Sequence, residues 1–464
     1  MKENIKLIES SFRDPNGYLF WQDRKLYRSI NNSYKNHYNY LIQSGLYKKL
    51  TENNFLVSHE EIDNQIFYES TNTFKIISPE IIPFISYPYE WSFSQLKDAA
   101  LLTLNIQEIA LDYGMSLKDA SSYNVQFKNG KPIFIDTLSF ENYEEGKPWI
   151  AYKQFCQHFF APLSLMAHTD IRLSQLFKNN IDGIPLDLAS KLLPLKTHFR
   201  PSTKLHIHIH SKLQKKFEDS AESKSKNKRT ISKTALKGII NNLKNSISNL
   251  KWNIEKTEWR DYYDDDSYTE NGFLHKQEII NSLLSRIHYE TAWDLGANDG
   301  TFSRLIAKNR NCNVVSFDID PACVEKNYLY CSENKLENIL PLSLDLTNPS
   351  PNIGWNNCER SSIQKRGPVD LIMALALIHH LAISNNVPLE KIALFLKNLC
   401  KFLIIEFVPK SDKKVKKLLS TREDIFPEYN QEKFEKIFSK HFEIFNEQKI
   451  NESERIICLM RKIS

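Results

Sequence analysis

The sequence predicts two domains, the second an α/β domain built on a mostly parallel sheet with helices on both faces. Three observations carry this. The chain has 464 residues, more than one hydrophobic core usually serves. Residues 211–233, SKLQKKFEDSAESKSKNKRTISK, are rich in Lys, Ser and Glu and nearly free of large apolar side chains. Such a stretch buries too little to offset its ordering entropy. It reads as part of a basic flexible linker, 211–250, between a domain at 1–210 and another at 251–464. After it, apolar runs alternate with amphipathic ones, the pattern of parallel strands covered by helices.

Taken in order, ETAWDLG is a short buried strand and TFSRLIAKN a helix; NVVSFD is a strand and PACVEKNYLYCSENK a helix. NILPLSLD and PVDLIMALA are strands, followed by a helical PLEKIALFLKNLCK. KFLIIEFV is a strongly apolar strand, QEKFEKIFSKHF a helix and ERIICLMR the last strand.

Composition excludes several classes. With 41% hydrophobic and 25% charged residues the chain is an ordinary globular protein. No apolar run approaches the roughly 18–20 residues of a membrane span. MKENIKLIESSFRD lacks the apolar core of a signal peptide. Seven cysteines stand singly, with no CxxC pair. That suits reduced thiols in a cytoplasm and argues against a disulfide frame or a zinc site. A net charge of +5 is weak ground for a nucleic-acid partner. The oligomeric state is not legible.

The junction AWDLGANDGTFSRLIA, residues 292–307, joins the first strand of the second domain to a helix. Gly296 and Gly300 remove Cβ atoms so that a ligand can lie against the backbone, and Asn298 is a third turn-former. Asp294 is placed to accept a hydrogen bond from a cationic group or hydroxyl. Asp318 ends the second strand, 24 residues later, where an acid binds ribose hydroxyls. Asp345 ends the third strand, within reach of an adenine amino group. The ligand implied is a nucleoside with a charged tail. The spacing D-x-G-x-x-x-G differs from the G-x-G-x-x-G that seats a pyrophosphate.

DLGANDG, FDID, LSLDL and VDLIMALALIHHL, in that order, resemble the motifs of class I S-adenosylmethionine-dependent methyltransferases, over roughly residues 255–464. The resemblance implies a Rossmann-like sheet, with Gly296 and neighbouring backbone on the methionine moiety, Asp318 on the ribose and Asp345 on the adenine. TEWRDYYDDDSY, with Tyr262, Tyr263 and Tyr268, stands where the family has a lid over the cofactor; its plainer reading is an amphipathic entry helix. His379 and His380, after the fourth strand, are candidate bases for the acceptor. Glu406, at the end of KFLIIEFV, is a candidate at the same rim to orient the acceptor or a histidine. GWNNCERSSIQKRG is long for a connection and is expected to shape the acceptor pocket. The acceptor is an oxygen or nitrogen of a small molecule, glycan or lipid-linked intermediate.

In the first domain, SLKDASSYNVQFKNGKPIFIDTLSFE sets Asp119 and Asn124 five residues apart, then runs through an Asn129-Gly130 hairpin to Asp136. This resembles the catalytic loop of the protein-kinase-like fold, its small-molecule kinase branch especially. The resemblance implies an α+β domain with Asp119 as base and Asn124 and Asp136 holding magnesium beside ATP. The sequence departs from that pattern: no glycine-rich phosphate loop is evident, Arg28 stands for the expected Lys, and DTL replaces DFG. The domain is therefore a phosphotransferase lobe or a pseudokinase.

LHIHIHSK would align His206, His208 and His210 on one face if extended. A metal there lacks matching acids or thiols, and an edge strand is the simpler expectation. As a whole the chain resembles bacterial nodulation-protein-like methyltransferases. Two other readings stand beside methyl transfer: a kinase-like phosphotransferase whose second domain binds S-adenosylmethionine, and a regulatory binding protein.

Overall fold

The computed structural model describes residues 5–62, 72–212, 230–253, 269–309, 311–420 and 423–463. Contacts divide the chain into two compact units, one of residues 1–253 with 353–360, the other of 254–352 with 361–464.

The first unit opens with a five-stranded antiparallel sheet. Its strands are β1 (Lys6–Leu7), β2 (Gly17–Gln22), β3 (Lys25–Asn31), β4 (His59–Ile62) and β5 (Thr73–Pro79), in the order β1-β2-β3-β5-β4. Asp23 and Arg24, both at positive φ, make the two-residue turn between β2 and β3. Helices α1 (Lys35–Gln43) and α2 (Leu46–Glu52) follow β3. The longest helix, α3 (Phe93–Asp112), starts at a capping box: Ser92 Oγ accepts from Gln95 N, and Gln95 Oε1 accepts from Ser92 N. Its buried Leu96, Ala100, Leu104 and Leu111 form a core stripe. Beyond it, β6 (Met115–Leu117) pairs with β9 (Phe140–Asn142), and β7 (Val125–Lys128) with β8 (Lys131–Phe134). The β7–β8 turn is the expected Asn129-Gly130, with φ of 51° and 71°. Helix α4 (Ala161–His168) is apolar on almost every side.

Part of the expected linker is not one. Residues Lys233–Asn249 form helix α5, capped by Ser232, with Leu236, Ile240, Leu243 and Ile247 buried. Those four repeat at helical spacing and pack on α3, where Lys237 and Lys244 pair with Asp112 and Glu108. The Lys-rich stretch 211–233 drew the linker boundary past this stripe. Residues 213–229 lie outside the described residues. The histidine run is a second correction. Lys204–Ile209 is a turn of π-helix, not an extended edge.

The second unit holds a seven-stranded sheet: β10 (Thr291–Leu295), β11 (Asn313–Asp318), β12 (Ile339–Ser343), β13 (Val369–Ala374), β14 (Cys400–Phe407), β15 (Phe442–Lys449) and β16 (Ile456–Lys462). The order is β12-β11-β10-β13-β14-β16-β15; the first five are parallel, while β16 runs antiparallel to both neighbours. Two features were unread in the sequence: strand β15, whose burial alternates as an edge strand's does, and the reversal of β16. Helices α6 (Glu270–Leu284), α7 (Pro321–Glu333), α8 (Leu389–Leu399), α9 (Lys413–Leu419) and α10 (Gln431–Phe438) flank the sheet. The helix expected after the glycine turn is one turn long, Ser303–Ile306. Ala292, Leu371, Met373, Ile404 and Ile457 fill the centre of the core. The strand order reverses beside β10, which opens a crevice at the carboxyl ends of β10 and β13.

Residues 353–360, midway between β12 and β13, group with the first unit. There the buried Glu359 accepts from Arg13 Nε at 2.6 Å and Nη2 at 2.8 Å, and Arg360 lies over the Tyr123 ring.

Candidate active site

The glycine junction crosses the end of β11. Gly296 N and Ala297 N both donate to Phe317 O at 2.9 Å. Gly296, Asn298 and Gly300 all take positive φ, which turns the backbone back toward the sheet. The two glycines differ. A Cβ on Gly300 would fall 2.3 Å from Asn327 Oδ1 on α7, so helix packing, not a ligand, excludes a side chain there. For a Cβ on Gly296 the three nearest atoms would all belong to Leu377, the first at 3.3 Å.

Two buried acids flank this turn. Asp318 Oδ2 accepts from Asn298 N at 2.7 Å and Oδ1 from Asp320 N at 2.8 Å. Burial pushes its carboxyl up to about 6, against those backbone donors. Asp294 accepts from Ser303 Oγ at 2.6 Å, and Ser303 also bonds Ser316. Burial pushes Asp294 up to about 7, with Ser303 and Lys276 opposing. Asp345, in the turn after β12, accepts from Thr347 N and Oγ1. Tyr262, Tyr263 and Tyr268 lie outside the described residues.

After β13 the chain turns at Ala376, with φ of 48°, and reaches His379 and His380. Their rings sit 4.0 Å apart. His379 is fully buried, and among the described residues neither ring nitrogen has a hydrogen-bond partner. Burial, then His380, Arg455 and Lys276, hold it well below the usual imidazole range. His380 is partly exposed; burial, with Arg455 and Lys414, lowers it to about 4. Both imidazoles are therefore neutral near pH 7.

Glu406 is not at the rim. It is fully buried, accepting from Lys276 Nζ at 2.7 Å and Arg455 Nη1 at 3.4 Å. Arg455 Nε in turn donates to Asp412 at 2.8 Å. Glu406 ends an apolar strand, and two buried cations neutralise it there, leaving it no access to an acceptor. Lys276 and Arg455 were missed in the sequence, though each leaves a signal. Lys276 holds an apolar-face position on α6, three residues before Ile279, and Arg455 directly precedes the apolar β16.

A cavity of about 560 Å³ opens at the carboxyl ends of β14 and β15. Its wall comes from Thr269 and Gly272 on α6, residues 411–414 and residues 449–455. Arg455 and Lys414, the cations acting on His380, are both part of it.

In the first unit, Asp119, Asn124 and Asp136 come together. Asp119 accepts from Ser121 N, Gln154 Nε2 and Asn124. Burial, then the charge of Asp136, raises its carboxyl. Asn124 Nδ2 donates to Ser139 Oγ at 3.2 Å, and Ser139 bonds Asp136. Asp136 pairs with Arg28 Nη1 at 2.5 Å. Burial works against its charge, yet Arg28 and the donors Ser139 and Leu138 N keep it below the usual range. Among the described residues no three His, Cys, Asp or Glu side chains cluster in a way that could hold a metal. That includes the histidine run: His206 bonds Tyr152 and Asn242, and His208 bonds Ser190 and Thr197.

No protein-family model matches the chain. Solved structures similar to it include a SAM dependent methyltransferase from Aquifex aeolicus, 15% identical, covering 45% of this chain and 100% of that one, with a TM-score of 0.32. Another is magnesium protoporphyrin IX methyltransferase (ChlM) from Synechocystis PCC 6803 with bound SAH, 16% identical, covering 44% and 93%, with a TM-score of 0.31. Nodulation protein NoeA of Rhizobium meliloti (strain 1021) is 33% identical over 456 residues, which is 97% of this chain and 95% of that protein. The identity runs through both units, and the chain belongs to the family of nodulation protein NoeA.

Proposed function

We propose that the second unit is a methyltransferase that uses S-adenosylmethionine. The observation that carries this is the pair of buried acids at the switch point, Asp294 and Asp318, on either side of a backbone turn held at positive φ. The residues present fit a nucleoside with a cationic tail. Asp318 takes backbone N–H donors from Asn298, Asp320 and Ile319, which leaves acceptor capacity for a ribose hydroxyl. Asp294, raised to about 7, gains from a nearby cation. Asp345 is assigned the adenine edge.

When bound, the cofactor supplies a methyl group already activated by its sulfonium. The chain's own residues then align the acceptor, exclude water and take up a proton where one is released. The cavity beside α9 and the β15–β16 turn is the proposed acceptor site, for an oxygen or nitrogen of a small molecule, glycan or lipid-linked intermediate. His380 is the better candidate of the histidine pair because it is partly open, whereas His379 is sealed. Replacing His380 with Ala should lower turnover about 100-fold while cofactor affinity persists. Glu406 is assigned to holding Lys276 and Arg455.

Calorimetric titration of the full chain with S-adenosylmethionine, S-adenosylhomocysteine and NAD tests the reading. Saturable binding of the first two and none of NAD supports it; no binding of either sulfur nucleoside ends it.

A second reading, magnesium-ATP in the first unit, rests on the convergence of Asp119, Asn124 and Asp136. Against it, Asp136 already has Arg28 as its counter-ion.

A further inference from the structure

We propose that residues 191–209 of the first unit form a surface that docks on an anionic lipid bilayer. The segment is built of three successive helical turns, Leu195–Phe199, Pro201–Thr203 and Lys204–Ile209, after a helix that ends at Leu192. Its outward face is more apolar than that of an ordinary surface helix. Leu195 is 81% exposed and Phe199 88%, and Leu192, Leu205 and Ile209 are exposed with them. The polar Thr197, Thr203, His206 and His208 face inward beside Leu193 and Ile207. His206 is clamped between Tyr152 Oη at 2.6 Å and Asn242 Oδ1 at 2.9 Å; His208 lies between Ser190 Oγ at 2.7 Å and Thr197 Oγ1 at 3.0 Å, stacked on His198. The inner face is thus satisfied, and the apolar outer face is left to solvent. Exposed apolar residues scattered singly need no explanation, but five within 18 residues do.

Charge selects the occupant. Lys191, Lys196, Arg200 and Lys204 are exposed among the apolar residues, and residues 188–212 contain no acid at all. The core of a protein interface excludes lysine. A segment lying in a bilayer interface combines Leu and Phe with Lys and Arg in this way. Near an anionic membrane each such cation adds about fivefold to affinity. Lys237 and Lys244 on the adjacent α5 do not contribute, since they pair with Asp112 and Glu108. Among the described residues no helix is long and apolar enough to cross a membrane, so the contact is with the surface.

The test is co-sedimentation of the full chain with vesicles of phosphatidylcholine alone and of phosphatidylcholine with about one-third phosphatidylglycerol. Binding to the anionic vesicles that weakens with salt is expected. The double variant Leu195→Ser, Phe199→Ser should lose affinity by about tenfold or more, and Lys196→Gln, Arg200→Gln by about 25-fold. All four residues are exposed, so the thermal midpoint should stay unchanged and report intact folding. Equal binding to both vesicles, no binding at low salt, or a serine variant that binds like the parent would overturn the proposal. So would a dimer that the serine variant dissolves, because a second copy would then be the occupant.

Discussion

Asp136 at the candidate site of the first unit and the two buried acids at that of the second respond oppositely to pH. In the first unit Asp136 has Arg28 as a partner at 2.5 Å and stays ionised below the usual carboxylate range. In the second, Asp294 and Asp318 have hydroxyl and backbone donors but, among the described residues, no cation at bonding distance, and burial lifts them to about 7 and 6. The first acid has its counter-charge built in. The others stand ready for hydroxyls and positive charge brought by a ligand. This difference places the stronger claim to cofactor binding in the second unit.

The largest expected effect breaks the built-in pair. Arg28→Met leaves the largely buried Asp136 charge without its partner, and unfolding free energy should fall by about 3 kcal/mol. Urea denaturation of the parent and the variant reads this directly. A loss within about 0.5 kcal/mol would mean that Asp136 is not held by Arg28.

Asp318→Ala comes next. It should weaken S-adenosylmethionine by about 1.5–3 kcal/mol, the range for hydrogen bonds to a charged group. Unchanged calorimetric affinity would remove Asp318 from the ribose role.

The pH contrast is a smaller and sharper test. Asp294 has a folded pKa near 7 and an unfolded value near the ordinary 3.8, so the folded state retains a proton that the unfolded chain releases. Its contribution to stability is full below 3.8 and is lost as pH rises toward 7. Asp136 is depressed, so its contribution is present above 3.8 and is lost as pH falls through its lower folded pKa. Asp294→Asn should therefore gain thermal midpoint relative to the parent between pH 5 and pH 8. A constant difference across that range would show that Asp294 is ionised throughout.

The smallest effect concerns magnesium-ATP. With Arg28 on Asp136, a millimolar ligand should stabilise the chain by less than about 0.5 kcal/mol, as expected when its concentration barely reaches its Kd. A larger magnesium-dependent shift that Asp136→Asn abolishes would make the two sites alike after all.

By itself the sequence determined the strands from β10 to β14, the glycine turn and the acids at or just past the ends of β10, β11 and β12. These signals are local: apolar runs, a turn that needs positive φ, and an acid at a fixed offset. The Asn129-Gly130 hairpin was legible for the same reason. Tertiary structure decided the rest. Gly300 serves Asn327 on α7, a neighbour 27 residues away in the chain, and no local pattern announces that contact. Glu406 reads as a rim carboxylate until Lys276 and Arg455, 130 and 49 residues distant, close over it. Likewise 233–249 reads as solvated until α3 offers it an apolar face and two acids. Whether a charge is exposed or buried depends on what the rest of the chain packs against it, and sequence spacing does not record that.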